Sequence, residues 1–407
     1  MRTRDTLVFR FIVGFLLIFS TLDAKEHQRA SEYLNSIRQD AGLIQFKPNK
    51  KLDKAAASHA KYLVRQQKIG HYEKKGWGGY TGKTPSDRVL HAGYPSKAVM
   101  ENVTVNTKTS HKSIDTLFAA IYHRFVFLNF GKDEIGIGSA STKKKKSITS
   151  SFVYNLGSTA ISKLCKTSSF VMQDGAYYMQ NLCKNSANIV PQTLLEKKQN
   201  EIREKNSKIV LYPYPNATNV SPVFYTEHPH PLPGSKVSGY PVSVQFNPAF
   251  YKKVKLKKFR LFDAEAKEIK KYKVLTHKND KNRRFTPLQF AFMPLKRLEY
   301  GTRYRVEFEA VADGKRVKKS WKFTTKKPKG TFYKITKKKT TLKVKRGEKI
   351  VLYFEPRSKK DVLGRIKYTG KLHTTYLDKN TLLVTLPNKR SSRGYSLKAG
   401  AREVILK

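Results

Sequence analysis

The sequence predicts a multi-domain α+β protein, mixed α and β over its first third and β-rich from there to its end. Three observations carry this. Apolar residues recur at helical spacing in the segments 30–41 and 52–63, and again after Ser113. From about Ile209 the apolar period changes to two, as in half-buried strands. A chain of 407 residues with 39% hydrophobic and 12% aromatic content can build two or three packed cores and is too apolar to be disordered.

At the N-terminus, Arg2, Arg4 and Arg10 precede or open the uncharged run "FIVGFLLIFSTL", and small Ala24 follows. This is the layout of a signal peptide over residues 1–24. An uncleaved anchor is the other reading, but the run is short against the ~20 apolar residues of a membrane span. No cysteine stands at the cut, which argues against a lipoprotein, and no other segment reads as a span. The chain is therefore expected to be exported: periplasmic, envelope-associated or secreted, and not an integral membrane protein after cleavage.

Residues 25–163 form the mixed domain. Ala30, Tyr33, Leu34, Ile37 and Ala41 share one helical face that ends at Gly42, and Leu52, Ala55, Ala56, His59, Ala60 and Leu63 share a second. A glycine-rich loop, "HYEKKGWGGYTGKTPSDR", follows. The segment from Ser113 reads as a helix with Asp115 in its first turn, where the helix dipole favours a negative charge. "EIGIGSA" and "SFVYNLG" read as strands joined by a solvated tip carrying Lys143 to Lys146.

Residues 164–207 are expected to be a linker with a polar helix from about Pro191. It contains the two cysteines, Cys165 and Cys183. In an exported chain such a pair is most simply one disulfide, worth roughly 3 kcal/mol in the chain-entropy model. Two free thiols are the alternative. A zinc site is not expected there, since no His or further Cys falls at ligand spacing beside them.

Residues 208–327 read as a β-sandwich. Val242, Val244 and Phe246 alternate, as do Tyr304, Val306 and Phe308, and "ADGK" is a hairpin turn. Residues 328–407 read as a small basic β-rich tail, with 22 Lys and Arg against 5 Asp and Glu. The whole chain has 82 Lys and Arg against 30 Asp and Glu, a net charge of +52. That points to anionic partners: lipopolysaccharide phosphates, wall polymers or anionic lipid. Nucleic acid fits the charge but not the signal peptide. The lysines are spread through every segment, so a lysine-rich proteome is an equally open explanation.

Four residues of the first domain could do chemistry: His59, His71, Glu101 and His123. His59 sits in the middle of an apolar stripe and is expected to be a buried, hydrogen-bonded core histidine. His71 follows Gly70 at an expected turn, and Glu101 is a carboxylate among apolar residues that needs a partner. If the segment from Ser113 is one helix, Leu117, Phe118, Ile121, Tyr122 and Phe125 form its apolar stripe. His123 then lies roughly 170° from the centre of that stripe.

"AAASHAKYL", "GHYE", "GKTPSDRVLHAGY", "MENVTV" and "LFAAIYHRFVFLNFGKDEIGIG" occur in this order. Together they resemble the bacterial branch of the CAP superfamily, the cysteine-rich secretory, antigen 5 and pathogenesis-related proteins. The likeness covers about residues 27–160. It implies an α-β-α sandwich in which His71, Glu101 and His123 line an open cleft, with Asn102 and Arg124 beside them. Residues 208–327 weakly resemble the Ig-like modules found beside such domains. Met100 replaces the family's usual Gly, and Ile121-Tyr122 replaces the common Pro-Gly. Alanines 119 and 120 stand where many relatives carry a second glutamate.

Two imidazoles and a carboxylate could bind Zn or another divalent metal with one position open. They could also form a His-Glu pair that activates water, or a hydrogen-bonded cluster that only organises the cleft. No Ser-His-Asp or Cys-His spacing supplies a nucleophile. The expected function is binding of an anionic or lipidic ligand, with no confident catalytic residue. The rival is a metal-assisted hydrolase using the same cleft.

Overall fold

The structure, a computed structural model, describes residues 25–407 apart from 168, 169, 171, 173, 371 and 389–393. The expected signal peptide, residues 1–24, lies outside the described residues. No described helix is long and apolar enough to cross a membrane. The chain divides into two compact units. The first runs to Tyr214 and adds Ser243–Val254 and Thr286–Gln289; the second holds Pro215–Val242, Lys255–Phe285 and Phe290–Lys407.

The first unit opens with helix α1, residues 25–40, which buries Ala30, Leu34 and Ile37. Then come strand β1 (Lys47–Pro48), helix α2 (Lys50–Gln66), helix α3 (Pro85–His91) and strand β2 (Met100–Val105). Helices α4 (Ser110–Ala119) and α5 (Ile121–Phe127) lead into strands β3 (Glu134–Ser141) and β4 (Ser150–Gly157). Helix α2 is capped by Asn49, whose side chain accepts from the backbone N–H groups of Lys51 and Leu52. The sheet order is β1-β3-β4-β2, with β1 parallel to β3 and the other pairs antiparallel.

Side-chain alternation along β4 defines three layers. Val153 packs with Ala56, Ala60 and Leu63 of α2, while Tyr154 meets Phe127 of α5 edge-on at 5.2 Å. Helices thus cover both faces, giving the expected α-β-α sandwich. Helix α2 approaches β3 closely because Gly136 and Gly138 stand there. A Cβ on either would come within 2.1 Å of the α2 backbone at Leu52 or Ala57.

The expected single helix after Ser113 is two. At Ala120 the backbone is extended (φ −86°, ψ 115°), and Arg124 Nε donates to Phe118 O, a carbonyl in the last turn of α4. The angular argument for His123 holds only within α5, where Ile121, Tyr122 and Phe125 are buried and His123 is half-buried.

The connector packs into the first unit. Helix α6 (Thr159–Leu164) and helix α7 (Gln192–Arg203) flank the disulfide Cys165–Cys183, whose Cα atoms are 5.2 Å apart. Ile161, Leu164, Val190 and Leu195 form a small core around it. Strand Ile209–Tyr212 pairs antiparallel with residues 243–246. The expected alternation in Val242–Phe246 is not one of buried and exposed, since all five residues are buried. Arg124 Nη1 donates to Ser243 Oγ at 3.1 Å, and Gln245 points to the carbonyl of Leu128.

In the second unit, Arg303–Ala312 and Lys315–Thr324 form the expected hairpin, with both turn residues, Asp313 and Gly314, at positive φ. Phe308 of this sheet packs on Phe259, which packs on Phe292 of the facing strand Gln289–Pro294. The C-terminal strands build two four-stranded sheets around Ile350, Leu352, Phe354, Leu382, Leu397 and Val404. Their attachment runs through a buried ion pair, in which Arg297 Nη1 and Nη2 donate to Asp378 Oδ1 and Oδ2 at 3.0 and 2.7 Å. Tyr225 and Tyr300 donate to the same carboxylate, and the guanidinium lies over the rings of Tyr300 and Tyr353.

Candidate functional site

Strand β2 is the edge strand of the first sheet, so its alternating side chains bring the two helical layers together around its free side. Glu101 faces the α2 layer, in register with Asn155 of β4. Asn102 faces the other layer, where its amide donates to the backbone oxygen of His123 at 2.9 Å. His71, on the loop after α2, donates from Nδ1 to Glu101 Oε1 at 2.9 Å, because an ionised carboxylate can only accept. The rings of His71 and His123 lie stacked with centroids 6.5 Å apart. The three expected residues therefore converge.

Glu101 is buried beneath them. Arg88 Nη2 donates to both of its oxygens, at 2.9 and 2.8 Å. Asn155, with its amide oriented to satisfy its neighbours, donates to Oε2 at 3.1 Å. Burial works to raise the Glu101 carboxyl, but the His71 hydrogen bond and the Arg88 charge outweigh it and hold the group below the ordinary carboxylate value. Its side chain is 1% exposed, whereas that of His71 is 37% exposed. The layer that meets solvent is thus imidazole.

Behind Glu101 lies a second carboxylate that sequence reasoning missed. Glu73 Oε1 takes His59 Nδ1 at 2.8 Å and lies 3.8 Å from Arg88 Nε, while Oε2 accepts from the backbone of Thr81. His59 Nε2 donates to Gly70 O at 3.0 Å and stands 3.9 Å from Glu101 Oε1. His59 is buried and bonded at both nitrogens, as expected of a core histidine, yet it also belongs to the site's foundation. The signal that could have found Glu73 is its place two residues after His71, on the same side of an extended segment.

The expectation that Glu101 is a third metal ligand meets a physical obstacle. Its lone pairs are already engaged by Arg88, His71 and Asn155. Among the described residues no group of three or more His, Cys, Asp or Glu side chains is arranged to hold a metal ion. What the arrangement does offer is a fixed tautomer. With Nδ1–H on Glu101, the other nitrogen of His71 is left for solvent or a ligand.

Residues 32–154 match the model of the cysteine-rich secretory protein family. This segment is a CAP domain. The sandwich and the His71–Glu101–His123 cleft both belong to it. Among solved structures, an extracellular SCP-domain protein from Bacillus anthracis is 18% identical, with a TM-score of 0.28 over 32% of this chain and 39% of that one. An outer surface protein from Borrelia burgdorferi is also 18% identical, with a TM-score of 0.28 over 33% of this chain and 92% of that one. The chain thus spans about two-fifths of the Bacillus protein. No curated protein matches it. Beyond the CAP domain the chain adds the disulfide-bonded connector and the β sheets of the second unit.

Proposed function

We propose that this chain is an exported binding protein of the bacterial envelope whose CAP cleft presents His71 and His123 to an anionic or lipidic ligand. The observation that carries the reading is the state of Glu101. To act itself as base or nucleophile Glu101 would need a free lone pair, and it has none to spare. The chemistry the cleft offers a ligand is then that of two imidazoles, which we assign to recognition. The disulfide supports export to an oxidising compartment. The charge supports anionic envelope material, lipopolysaccharide, wall polymer or lipid, as the partner. The strand Lys315–Thr324 alone exposes Arg316, Lys318, Lys319 and Lys322.

The test is co-sedimentation of the full chain with phosphatidylglycerol and phosphatidylcholine vesicles and with lipopolysaccharide, over a salt series. Binding to anionic material should fall steeply with salt, since exposed charges are screened within ~8 Å at physiological ionic strength. His71→Ala with His123→Ala should remove a salt-resistant part of it. Salt-independent binding, or a double variant that binds like the parent, overturns the reading.

One observation favours a second reading, in which Zn or another divalent metal sits on His71 and His123. A metal-bound imidazole commonly donates its other N–H to a carboxylate, as His71 does to Glu101. A bound metal would supply Lewis acidity to the cleft. Zinc titration by calorimetry on the parent, His71→Ala and Glu101→Gln separates the two. Tight zinc binding that both substitutions weaken supports the metal, and ester hydrolysis by the zinc-loaded protein would revive the hydrolase.

A further inference from the structure

The first unit has a second concavity, which is lined by none of His71, Glu101 and His123. It has a volume of about 570 Å³, inside the range of about 300–1,000 Å³ typical of small-ligand sites. Its walls are α7, the turn at 129–131, the end of the strand at 245–246, and the loops at 248–252 and 286–289. Five side-chain amides line it, those of Asn129, Gln199, Asn200, Gln245 and Gln289, together with Arg203, Tyr251 and the carboxylate of Glu196.

These groups are held in place and still have hydrogen-bonding capacity. Arg203 Nη1 donates to Asn200 Oδ1 at 3.0 Å, and Nη2 to Gln199 Oε1 at 2.7 Å. Both bonds use the amide oxygens, so the NH₂ groups of Gln199 and Asn200 remain for solvent or a ligand. Gln245 is 2% exposed. Its oxygen accepts from Gln289 at 3.0 Å, but its NH₂ group reaches Leu128 O only at 3.4 Å. An apolar residue would fill that strand position with a lower desolvation cost. Among the described residues, Arg203 has no carboxylate at ion-pair distance. Burial draws its pKa below the ordinary value, and the charge of Glu196 offsets this only in part.

The remaining NH₂ groups of Gln199 and Asn200 lie on adjacent residues and can donate to the neighbouring hydroxyl oxygens of a sugar. Tyr251, set edge-on to Phe246 at 5.1 Å, offers an aromatic surface to sugar C–H groups. A guanidinium with no carboxylate at ion-pair distance selects for one, which it can take through its remaining N–H groups. We propose that this cavity binds a short acidic saccharide, with its carboxylate on Arg203 and its hydroxyls on Gln199 and Asn200, over a floor set by the Gln245–Gln289 pair. The inference does not rest on the proposed function of the histidine cleft.

The experiment is saturation-transfer NMR and calorimetry on the full chain with digalacturonate, its neutral digalactose counterpart, and sulfate. Digalacturonate should bind at least about tenfold more tightly than digalactose, the scale of a charge-assisted pair. Arg203→Gln should abolish that preference. Gln245→Leu should weaken binding several-fold without lowering the melting temperature. Asn200→Ala, at a half-exposed position, serves the same purpose if either of those variants fails to fold. His71→Ala should change nothing at this site, which separates a failure here from a failure at the cleft. No saturation transfer from either sugar overturns the proposal. So does sulfate displacing digalacturonate as effectively as digalacturonate itself, or unchanged binding in Arg203→Gln.

Discussion

The two units each bury an arginine on a carboxylate, and the two pairs end differently. In the second unit Asp378 is closed on all sides by Arg297, Tyr225 and Tyr300, and the guanidinium is covered by aromatic rings. In the CAP domain Glu101 is held as firmly by Arg88 and Asn155, but a further partner is His71, a titratable group that reaches solvent. The pair itself does not decide whether a buried charge is a fastener or a site. The third partner does. Phenols seal Asp378 in, whereas an imidazole carries the influence of Glu101 to the surface.

The largest expected effect lies with the sealed pair. Arg297→Met should cost about 3–5 kcal/mol, because it leaves Asp378 as an uncompensated buried charge. The cleft should keep its ligand affinity. Urea unfolding followed at Trp321, in a Trp77→Phe background, reads the second unit alone. A loss below about 1 kcal/mol would mean that the pair is not the fastener described.

Glu101→Gln comes next, at about 2 kcal/mol in the unfolding reported by Trp77. The smaller figure reflects Glu73, which still lies 3.8 Å from Arg88 Nε. Unlike Arg297→Met, this substitution should also weaken cleft binding, since His71 loses its anchor. Tyr225→Phe should cost about 1 kcal/mol, one hydrogen bond of several on Asp378. Last in stability is His71→Ala, at about 0.5 kcal/mol for a half-exposed partner. It should nonetheless remove most of the cleft affinity. If His71→Ala destabilises as strongly as Arg297→Met, the two clusters are of one kind and the comparison fails.

Acid sharpens the same contrast. Both carboxyls are held below their ordinary values of 4.5 for Glu101 and 3.8 for Asp378. Depressed carboxyls stabilise the fold fully above those values, and the contribution is lost as pH falls through the lowered folded value. Glu101→Gln should therefore flatten the acid-side loss of stability reported by Trp77 and leave that reported by Trp321 unchanged. Equilibrium unfolding at a series of pH values below about 4.5 checks it.

Much of the CAP domain was legible because its signals are local. The strand segments "EIGIGSA" and "SFVYNLG", the stripe of α2 and the His, Glu-Asn and His-Arg segments each lie within short windows. Convergence of His71, Glu101 and His123 was available only through the family likeness, since spacing alone cannot fold three elements together. The foundation of the site was not legible. Arg88 and Glu73 find Glu101 and His59 through contacts 13 and 14 residues apart in sequence, with nothing in the intervening loop to announce them. The break at Ala120 was hidden because apolar spacing continues through it. Arg297 and Asp378 are 81 residues apart and sit on opposite sides of the expected boundary at 327, which concealed that the tail is fastened to what precedes it.

The bare glycines of β3 have a reach beyond the sheet. Helix α2 rests its backbone on Gly136 and Gly138, and the same rigid rod carries His59 and, from its Gln66 end, the loop bearing His71. The absence of two methyl groups therefore works as a height gauge for the histidine layer. Gly138→Ala would lift the rod at Ala57, two residues from His59. The bond from His59 to Glu73 would feel the displacement before any ligand did. A residue that touches neither substrate nor imidazole can thus set the depth of the cleft floor, and a search for cleft variants confined to its visible lining would pass it over.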